Sequence, residues 1–350
     1  MTKKLTLVLS IVIAAAFLLG ACAPAAPAKP KVKVCEVTDM GGIDDRSFNA
    51  LGWAGVQQAI KDLGVDGQYI ESKQQSDYAP NLAACKDSGA DLIISVGFLL
   101  ADDTNKAATA NPTQKYAIVD SGSAKETPNL LGNGAQIDQN TFLAGYLSAG
   151  MTKTGTIGTY VGILFPATQA FMDGYYLGMT YYNTVHGTNV KLLGFDPAKP
   201  KECLQTGNFN STDDGRKMAQ TLMDEGADII MPVAGPVGWG SAAYMKEKGQ
   251  GLLIGVDQDW SKSSPDYPDY ILASAMKRID VFVYNTIKAV QDGTFKGGSD
   301  YILTLANNGI ALAYGSNWVD KIPAALKAET DALIPKIIAG EIKTAPAAAK

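Results

Sequence analysis

Two phenylalanines and two aspartates recur at matched positions in the two halves of this chain. Phe48 and Phe171 each lie in a segment that leads into a predicted helix, and Asp120 and Asp257 each follow a short apolar run that contains valine. Aromatic rings on opposite sides of a gap can stack on a flat ring placed between them. Carboxylates accept hydrogen bonds from hydroxyl groups and from ring N–H groups. The four side chains together would suit a ligand that combines one flat face with several hydroxyls.

Each of these residues also has a structural interpretation. A phenylalanine at a helix start often packs into the core beneath the helix, and an aspartate after a strand often caps the segment that follows. Because all four recur at matched sites, we favour the interpretation that they face a shared cleft. A nucleoside offers a flat base to the rings and ribose hydroxyls to the carboxylates, so it is a class of ligand that would use both features.

A repeated segment indicates that the chain consists of two similar halves. Residues 87–96 (DSGADLIISV) recur as residues 224–233 (DEGADIIMPV), and the same interval separates Asp120 from Asp257. Each copy is typical of a helix end, a glycine C-cap and a buried strand. Strands that alternate with helices predict βαβ units, and therefore an α/β fold with two doubly wound parallel-sheet lobes. Ligands bind at the carboxyl ends of the strands in such sheets, so both lobes should face one cleft.

The N-terminus has the pattern of a lipoprotein signal peptide. Two lysines precede the uncharged apolar run of residues 5–19, and a Gly-Ala pair leads into Cys22. This order is similar to the bacterial lipobox, in which the cysteine is lipidated and becomes the new N-terminus. We therefore predict a signal peptide at residues 1–21, a lipid on Cys22 and a Pro/Ala-rich tether at residues 22–31. The folded body would then work on the extracytoplasmic side of the cell membrane; the alternative is an uncleaved anchor, for which the apolar run is short.

The charge balance and the absence of catalytic motifs argue against a nucleic-acid-binding protein and against an enzyme. The chain has 30 Lys and Arg against 35 Asp and Glu, whereas nucleic acid demands a basic face. His186 is the only histidine, so the usual residues of a zinc hydrolase or a Ser-His-Asp triad are missing. We therefore expect a binding protein without a cofactor or a metal. The acidic residues Asp39, Asp44 and Asp45 leave a nucleoside hydrolase with a calcium site as a minor alternative, but loop carboxylates more often cap a helix, here the one near Ser47.

Three cysteines remain once Cys22 carries lipid. In an oxidising compartment one disulfide can form and leave one free thiol. Cys35 lies in a predicted strand and Cys85 on a nearby predicted helix, which favours that pair over any pair with Cys203. Three unpaired thiols are the alternative.

Residues 38–49 (TDMGGIDDRSFN) resemble the opening motif of the basic membrane protein family of solute-binding lipoproteins. These lipoproteins are similar to the purine-nucleoside receptors of ABC importers. The resemblance runs from about Val34 to Trp318 and includes the shorter motifs Gly97-Phe98, 118–120 (IVD), 171–175 (FMDGY), 233–236 (VAGP), 255–257 (GVD) and 274–278 (SAMKR). It implies a type I periplasmic binding protein-like fold and an extracytoplasmic solute-binding lipoprotein that delivers a nucleoside to a permease.

The resemblance implies a role for each of the recurring residues. The base would lie between Phe48 and Phe171. Asp120 would bond to the edge of the purine. Asp257 and Lys277 would hold the ribose hydroxyls.

Three further residues would complete the site, and two others depart from the family pattern. Asp39 would line the near wall, while Ser47 and Gly235 would supply polar or backbone contacts. Met40 stands where many relatives have a polar residue, and a thioether cannot replace the hydrogen bond of that residue to a purine nitrogen. Trp239 is bulkier than expected at its position, and it either narrows the cleft or packs beneath it. The preferred base is therefore open.

In this fold the chain is expected to pass between the lobes three times, so that the lobes can close over the ligand. The crossings are expected near residues 150–155, 272–276 and 305–310. The predicted N-terminal lobe is 32–150 plus about 276–306, and the predicted C-terminal lobe is 155–272 plus about 310–343. The low-complexity residues 344–350 are expected to be disordered.

The implied partners are a nucleoside, an ABC permease and the membrane, which the protein would contact through its lipid; the chain is expected to be a monomer. A sugar or another small polar solute is the alternative ligand, because sugar receptors of the same architecture also use aromatic rings and carboxylates. The Gly-Gly-Ile-Asp-Asp loop, residues 41–45, favours the nucleoside.

Overall fold

The computed structural model describes residues 31–123 and 127–346. The predicted signal peptide and the predicted lipidation site Cys22 lie outside these residues. The strands β1 to β12 are Lys33–Thr38, Asp66–Ile70, Leu92–Val96, Lys115–Val119, Leu130–Ala135, Thr156–Val161, Lys191–Leu193, Ile229–Val233, Leu252–Asp257, Ile271–Lys277, Ser299–Leu303 and Ile310–Tyr314. The α-helices α1 to α10 are Phe48–Leu63, Tyr78–Asp87, Ala101–Ala110, Asp138–Met151, Pro166–His186, Thr212–Asp224, Gly238–Lys248, Trp260–Ser263, Ile279–Gln291 and Ala324–Ile338.

The strands form two six-stranded sheets, each at the centre of one lobe. The first sheet has the order β2-β1-β3-β4-β5-β11, and the second has the order β7-β6-β8-β9-β10-β12. Neighbouring strands are parallel except β10 and β12. The central strands β3 and β8 are buried along their whole length, as expected for apolar strands with helices on both faces of the sheet. The prediction of an α/β fold with two parallel-sheet lobes is confirmed.

The strands β1 to β5 of the first sheet and β6 to β10 of the second follow the same order, in agreement with the repeated sequence. The halves differ after their second strand. Residues 194–211 connect β7 to α6, whereas residues 71–77 connect β2 to α2. Part of the longer loop runs beside the end of β6, where Gln205 pairs with Val161. The second lobe therefore has additional chain next to the carboxyl ends of its strands.

Two of the predicted crossings need correction. Helix α4 follows β5 of the first sheet, but it packs against α5 and against β10 and β12 of the second sheet. The chain therefore passes between the lobes at residues 136–137 and not at residues 150–155. Residues 272–276 lie inside β10 of the second sheet, so the next passage follows Lys277, and α9 then packs against α1 of the first lobe. The third passage connects β11 to β12.

Glycines explain why α4 packs on the second lobe. A Cβ atom at Gly145 of α4 would lie 2.0 Å from the carbonyl oxygen of Tyr175 on α5, and one at Gly178 of α5 would lie 1.9 Å from the carbonyl oxygen of Phe142 on α4. The two helix backbones are therefore in direct contact, which only residues without a side chain permit. This contact holds α4 on the second lobe, although α4 follows a strand of the first sheet.

The structure answers which cysteines form a pair. Cys35 on β1 and Cys85 on α2 form a disulfide, and Cys203 is buried and free, so the alternative of three unpaired thiols is wrong.

Thr344 is buried, and its hydroxyl donates to the carboxylate of Asp138, which corrects the expectation that disorder begins at this residue. Residues 347–350 lie outside the described part of the chain. No helix in residues 31–123 and 127–346 is both long enough and apolar enough to cross a membrane.

Candidate functional site

A cavity lies between the two lobes, at the carboxyl ends of their strands. It contains about 580 Å³ of space outside protein atoms, part of it open to solvent. Seven of the eight predicted ligand-binding residues line it: Asp39, Phe48, Asp120, Phe171, Gly235, Asp257 and Lys277. The eighth, Ser47, does not line the cavity, but its hydroxyl donates to Oδ2 of Asp257 at 3.4 Å. The structure therefore brings the predicted residues together from both lobes.

The matched aspartates share an uncommon backbone conformation. Asp120 has φ 62° and Asp257 has φ 68°, both in the left-handed region that disfavours residues with a Cβ atom. Aspartate tolerates this region better than most residues because its short carboxylate can hydrogen-bond locally. Each turn comes where a strand ends, at β4 in the first lobe and β9 in the second. The duplicated sequence therefore presents one carboxylate to the cavity from each lobe.

Lys277 is the central cation of the site. It ends β10 in the second lobe, and its side chain is 2% exposed. Its Nζ donates to both carboxylate oxygens of Asp120, at 2.9 and 2.7 Å, and lies 3.8 Å from Oδ1 of Asp257. Burial alone would lower the pKa of Lys277, but Asp120 and Asp257 outweigh it and raise that pKa above its ordinary value. The amine is therefore a buried cation that links the two lobes through Asp120.

One carboxylate oxygen of Asp257 accepts no hydrogen bond from any side chain that the structure describes. Its Oδ1 is buried and has no hydrogen-bond partner among the described residues. Burial raises the pKa of Asp257 to about 6, against the attraction of Lys277, and repulsion from Asp120 adds to the rise. A buried acceptor without a partner is costly, so a donor that reached Oδ1 would gain a strong hydrogen bond. A ligand hydroxyl has the required chemistry.

Phe48 and Phe171 approach the cavity from different lobes. Phe48 is the first residue of α1 and is half-buried, whereas Phe171 lies in α5 and is buried. The ammonium of Lys277 lies 5.2 Å from the ring centroid of Phe48 and 5.3 Å from that of Phe171. The two centroids can therefore be no farther apart than these two distances combined. A flat ring can stack on either of these two faces.

Asp39 is fixed next to the ring of Phe48. Its Oδ1 accepts the N–H of Gly41 at 2.9 Å and the side-chain amide of Asn49 at 2.7 Å. Burial raises the pKa of Asp39, in opposition to these two hydrogen bonds. Gly97 has φ 122°, and a Cβ atom there would lie 3.0 Å from Oδ2 of Asp39 and 3.5 Å from the edge of the Phe48 ring. The missing side chain at residue 97 therefore leaves the carboxylate and the ring edge side by side.

Among the acidic loop residues, Asp45 caps the helix, as the capping interpretation predicts. Its carboxylate accepts the backbone N–H groups of Ser47, which directly precedes α1, and of Asn49 and Ala50 in the first turn. Asp44 is exposed. Within residues 31–123 and 127–346, no group of three or more His, Cys, Asp and Glu side chains is placed to hold a metal ion.

Sequence reasoning missed the aromatic rim of the cavity, which we define as Phe98, Phe165 and Phe209. Phe98 of the first lobe stacks on Phe165 of the second, with ring centroids 4.9 Å apart and planes 11° apart. Phe209 comes from the longer loop after β7 and lies 6.1 Å from Phe165. The Gly97-Phe98 motif was a signal for the first of them. Phe165 and Phe209 have no counterpart in the first half, so the duplication could not reveal them.

Two other residues singled out in the sequence lie outside the cavity lining. The indole N–H of Trp239 donates to the backbone carbonyl of Asp45 in the other lobe, at 3.2 Å. His186, at the end of α5, contacts the hydroxyl of Tyr146 and the carboxylate of Glu329, each at 3.0 Å. This histidine therefore joins α5 to α4 and α10, which agrees with a structural role at a helix C-terminus.

Comparisons with known proteins point in one direction. A family model described as ABC transporter substrate-binding protein PnrA-like matches residues 32–345. An uncharacterized lipoprotein of Pyrococcus horikoshii is 35% identical over 286 residues, which cover 80% of this chain and 68% of the relative. The ABC transporter nucleoside-binding protein BmpA of Lactococcus lactis is 28% identical over 361 residues, which cover 96% of this chain and 99% of that protein. The crystal structure of an ABC transporter system solute-binding protein from Aeropyrum pernix matches with a TM-score of 0.78 at 27% identity, over 89% of this chain and 92% of that one.

Proposed function

The chain belongs to the Bmp family of PnrA-like ABC transporter substrate-binding proteins, and on that premise we propose that it binds a nucleoside, with a purine as the favoured base. The family resemblance of the sequence is thereby confirmed. One relative is named a nucleoside-binding protein. We extend that property to this chain because its cavity offers separate chemistry for a flat base and for ribose hydroxyls.

The observation that carries this proposal is the pair of phenyl rings contributed by opposite lobes. The ammonium of Lys277 lies at nearly equal distances, 5.2 and 5.3 Å, from the ring centroids of Phe48 and Phe171. Stacking on an aromatic side chain contributes roughly 1–3 kcal/mol per base. A sugar can also pack on such faces, but a planar base offers its own aromatic surface to both rings. A nucleoside base therefore uses this feature more fully than a simple polar solute does.

Ribose would bind at the charged end of the cavity. The buried Oδ1 of Asp257 has no donor within the described part of the chain, and the ammonium of Lys277 lies 3.8 Å from it. A ribose hydroxyl can donate to the carboxylate and accept from the ammonium at the same time. Hydrogen bonds to charged groups contribute about 1.5–3 kcal/mol each. Asp120 holds Lys277 in place for this contact and lies within reach of the base edge.

The protein acts outside the cell membrane, held there by a lipid on Cys22 and by the tether of residues 22–31. Two relatives are named lipoproteins, which supports the anchor. The lobes close over the nucleoside, and the closed form delivers it to a permease in the same membrane. Closure excludes water and strengthens the contacts between hydroxyls and carboxylates.

A thermal-shift screen followed by calorimetry tests this function on residues 32–350, whose described part forms one compact unit. The ligands are inosine, guanosine, adenosine, uridine, free ribose and galactose. A ligand that binds only the folded state raises the melting temperature by mass action. We expect a rise with nucleosides and none with ribose. Phe48→Ala should weaken binding about 5- to 150-fold, because one stacking face is lost.

Matched variants separate loss of the site from loss of stability. Phe295→Ala removes a half-buried ring that does not line the cavity, and Asp66→Asn removes a carboxylate on the exposed part of β2. Both should bind like the wild type, whereas Phe48→Ala and Asp257→Asn should not. If the melting temperature rose with sugars alone, the ligand would be a sugar and not a nucleoside. No rise with any of the six ligands would refute the proposal.

A further inference from the structure

Trp239 forms a direct hydrogen bond between the lobes without lining the cavity. It is the second residue of α7 in the second lobe, and its indole N–H donates to the backbone carbonyl of Asp45 in the first lobe, at 3.2 Å. The side chain is absent from the cavity wall. The bond can exist only while the two lobes are together, because its donor and its acceptor belong to different lobes.

The donor side of this bond is rigid. The indole of Trp239 packs on Trp260, with ring centroids 4.1 Å apart, and Trp260 is fully buried. The indole of Trp260 donates to the carbonyl of Val256 at 2.8 Å, next to Asp257. A Cβ atom at Gly255 would lie 2.5 Å from the Trp260 ring, so this ring fits directly against the backbone of β9. The orientation of Trp239 is therefore set by a ring that is itself anchored to a site strand.

The acceptor side of the bond belongs to the segment that carries Phe48. The carboxylate of Asp45 accepts three backbone N–H groups at the start of α1, and Phe48 is the first residue of that helix. A displacement of the Asp45 backbone would therefore also move the start of α1 and, with it, the Phe48 ring. The hydrogen bond of Trp239 joins this segment to the strand end that carries Asp257.

We propose that Trp239 is a positioning residue that holds the cleft closed around its solute and so sets how long the solute stays bound. This inference rests on the proposed function, since the solute is the nucleoside of the preceding section. The cavity lies between the lobes, so the solute leaves when they separate. Separation breaks the bond of Trp239 to Asp45, and this bond therefore adds to the barrier for release.

The chain offers a matched control for the loss of one indole N–H. Trp318 donates its indole N–H to the carbonyl of Asp269 at 2.8 Å, and both residues belong to the second lobe. Both Trp239→Phe and Trp318→Phe remove one indole N–H and its hydrogen bond. The bond that is lost joins the two lobes in Trp239→Phe and lies within the second lobe in Trp318→Phe. Stopped-flow fluorescence with inosine gives the association and dissociation rates of each variant. We expect dissociation to become about fivefold faster in Trp239→Phe, with an unchanged association rate, and no change in Trp318→Phe.

The opposite results would overturn the proposal. An unchanged dissociation rate in Trp239→Phe would show that the bond does not hold the lobes together. Equal acceleration in both variants would show a general loss of packing. Small-angle X-ray scattering in buffer adds a measurement that needs no ligand: the radius of gyration should be larger in Trp239→Phe than in Trp318→Phe, and equal radii would refute the closure role. If the wild type binds no nucleoside, the proposed function fails, while scattering still decides whether Trp239 holds the lobes together.

Discussion

Glu36 should make the stability of this protein fall as the pH rises. It lies in the middle of β1, is fully buried, and neither of its carboxylate oxygens has a hydrogen-bond partner among the described residues. The carboxylate packs against α1 at Gly52, where a Cβ atom would lie 3.2 Å from Oε1. Burial raises the pKa of Glu36 well above 4.5, and repulsion from Asp45 adds to the rise.

The direction and the size of the effect follow from proton linkage. Between the ordinary pKa of about 4.5 and the raised value, the folded protein keeps a proton on Glu36 that the unfolded chain has released. The contribution of Glu36 to the free energy of unfolding is therefore largest below about pH 4.5. It falls by about 1.4 kcal/mol for each pH unit between that pH and the raised pKa. Each pH unit inside this range therefore lowers the melting temperature by a few degrees for a lobe of this size.

Thermal unfolding of the wild type, Glu36→Gln and Glu341→Gln between pH 5 and pH 8 tests this prediction. Glutamine keeps the shape of the side chain but cannot titrate, so the wild type should lose stability relative to Glu36→Gln as the pH rises. Glu341 is exposed, and its variant should follow the wild type. The comparison uses the slope, because the buried amide adds a constant penalty of its own. A difference in melting temperature that stays constant from pH 5 to pH 8 would refute the reasoning.

Two further predictions concern the binding site and the disulfide. Burial raises the pKa of Asp257 to about 6, so inosine should bind more tightly as the pH rises through 6 and the carboxylate becomes an acceptor. Calorimetry of Asp257→Asn should show no such change near pH 6, and an identical profile in the variant would contradict the role of this carboxylate. The bond between Cys35 and Cys85 closes a loop with a sequence separation of 50, so replacing both by alanine should lower the free energy of unfolding by about 2–4 kcal/mol in denaturant titrations. Cys203→Ala is the control, since this thiol is free, and equal loss in both variants would argue against the disulfide.

The duplication made the sheets and most of the site predictable. The carboxyl ends of the strands in a parallel sheet lie at the cleft. Once the repeat was recognised, the position of the two matched aspartates at the cleft could therefore be predicted. Asp120 and Asp257 even share the left-handed turn that presents their carboxylates. The family motif then supplied Asp39, Gly235 and Lys277, which also line the cavity.

The features that escaped prediction depend on contacts between segments distant in sequence. The glycines at residues 145 and 178 do not reveal which helix they will touch, so the packing of α4 on the second lobe was not foreseen. The partner of Trp239 is a backbone carbonyl in the other half, and backbone groups carry no sequence signal. Phe209 belongs to a loop present in only one half. Glu36 contradicts the apolar pattern of its strand, and its burial became evident only in the structure.

The placement of α4 has a consequence for how the chain could have arisen and how it can be divided. In each half, the helix that follows the fifth strand packs on the other half: α4 on α5, and α9 on α1. Two copies of a single ancestral half could bury these helices only by exchanging them, as a domain-swapped dimer does. Fusion of the two genes would then convert a mutual exchange between subunits into the present connections within one chain. A cut between residues 151 and 156 would accordingly yield two fragments that need each other to fold, although it falls between two sheets whose first five strands follow the same order.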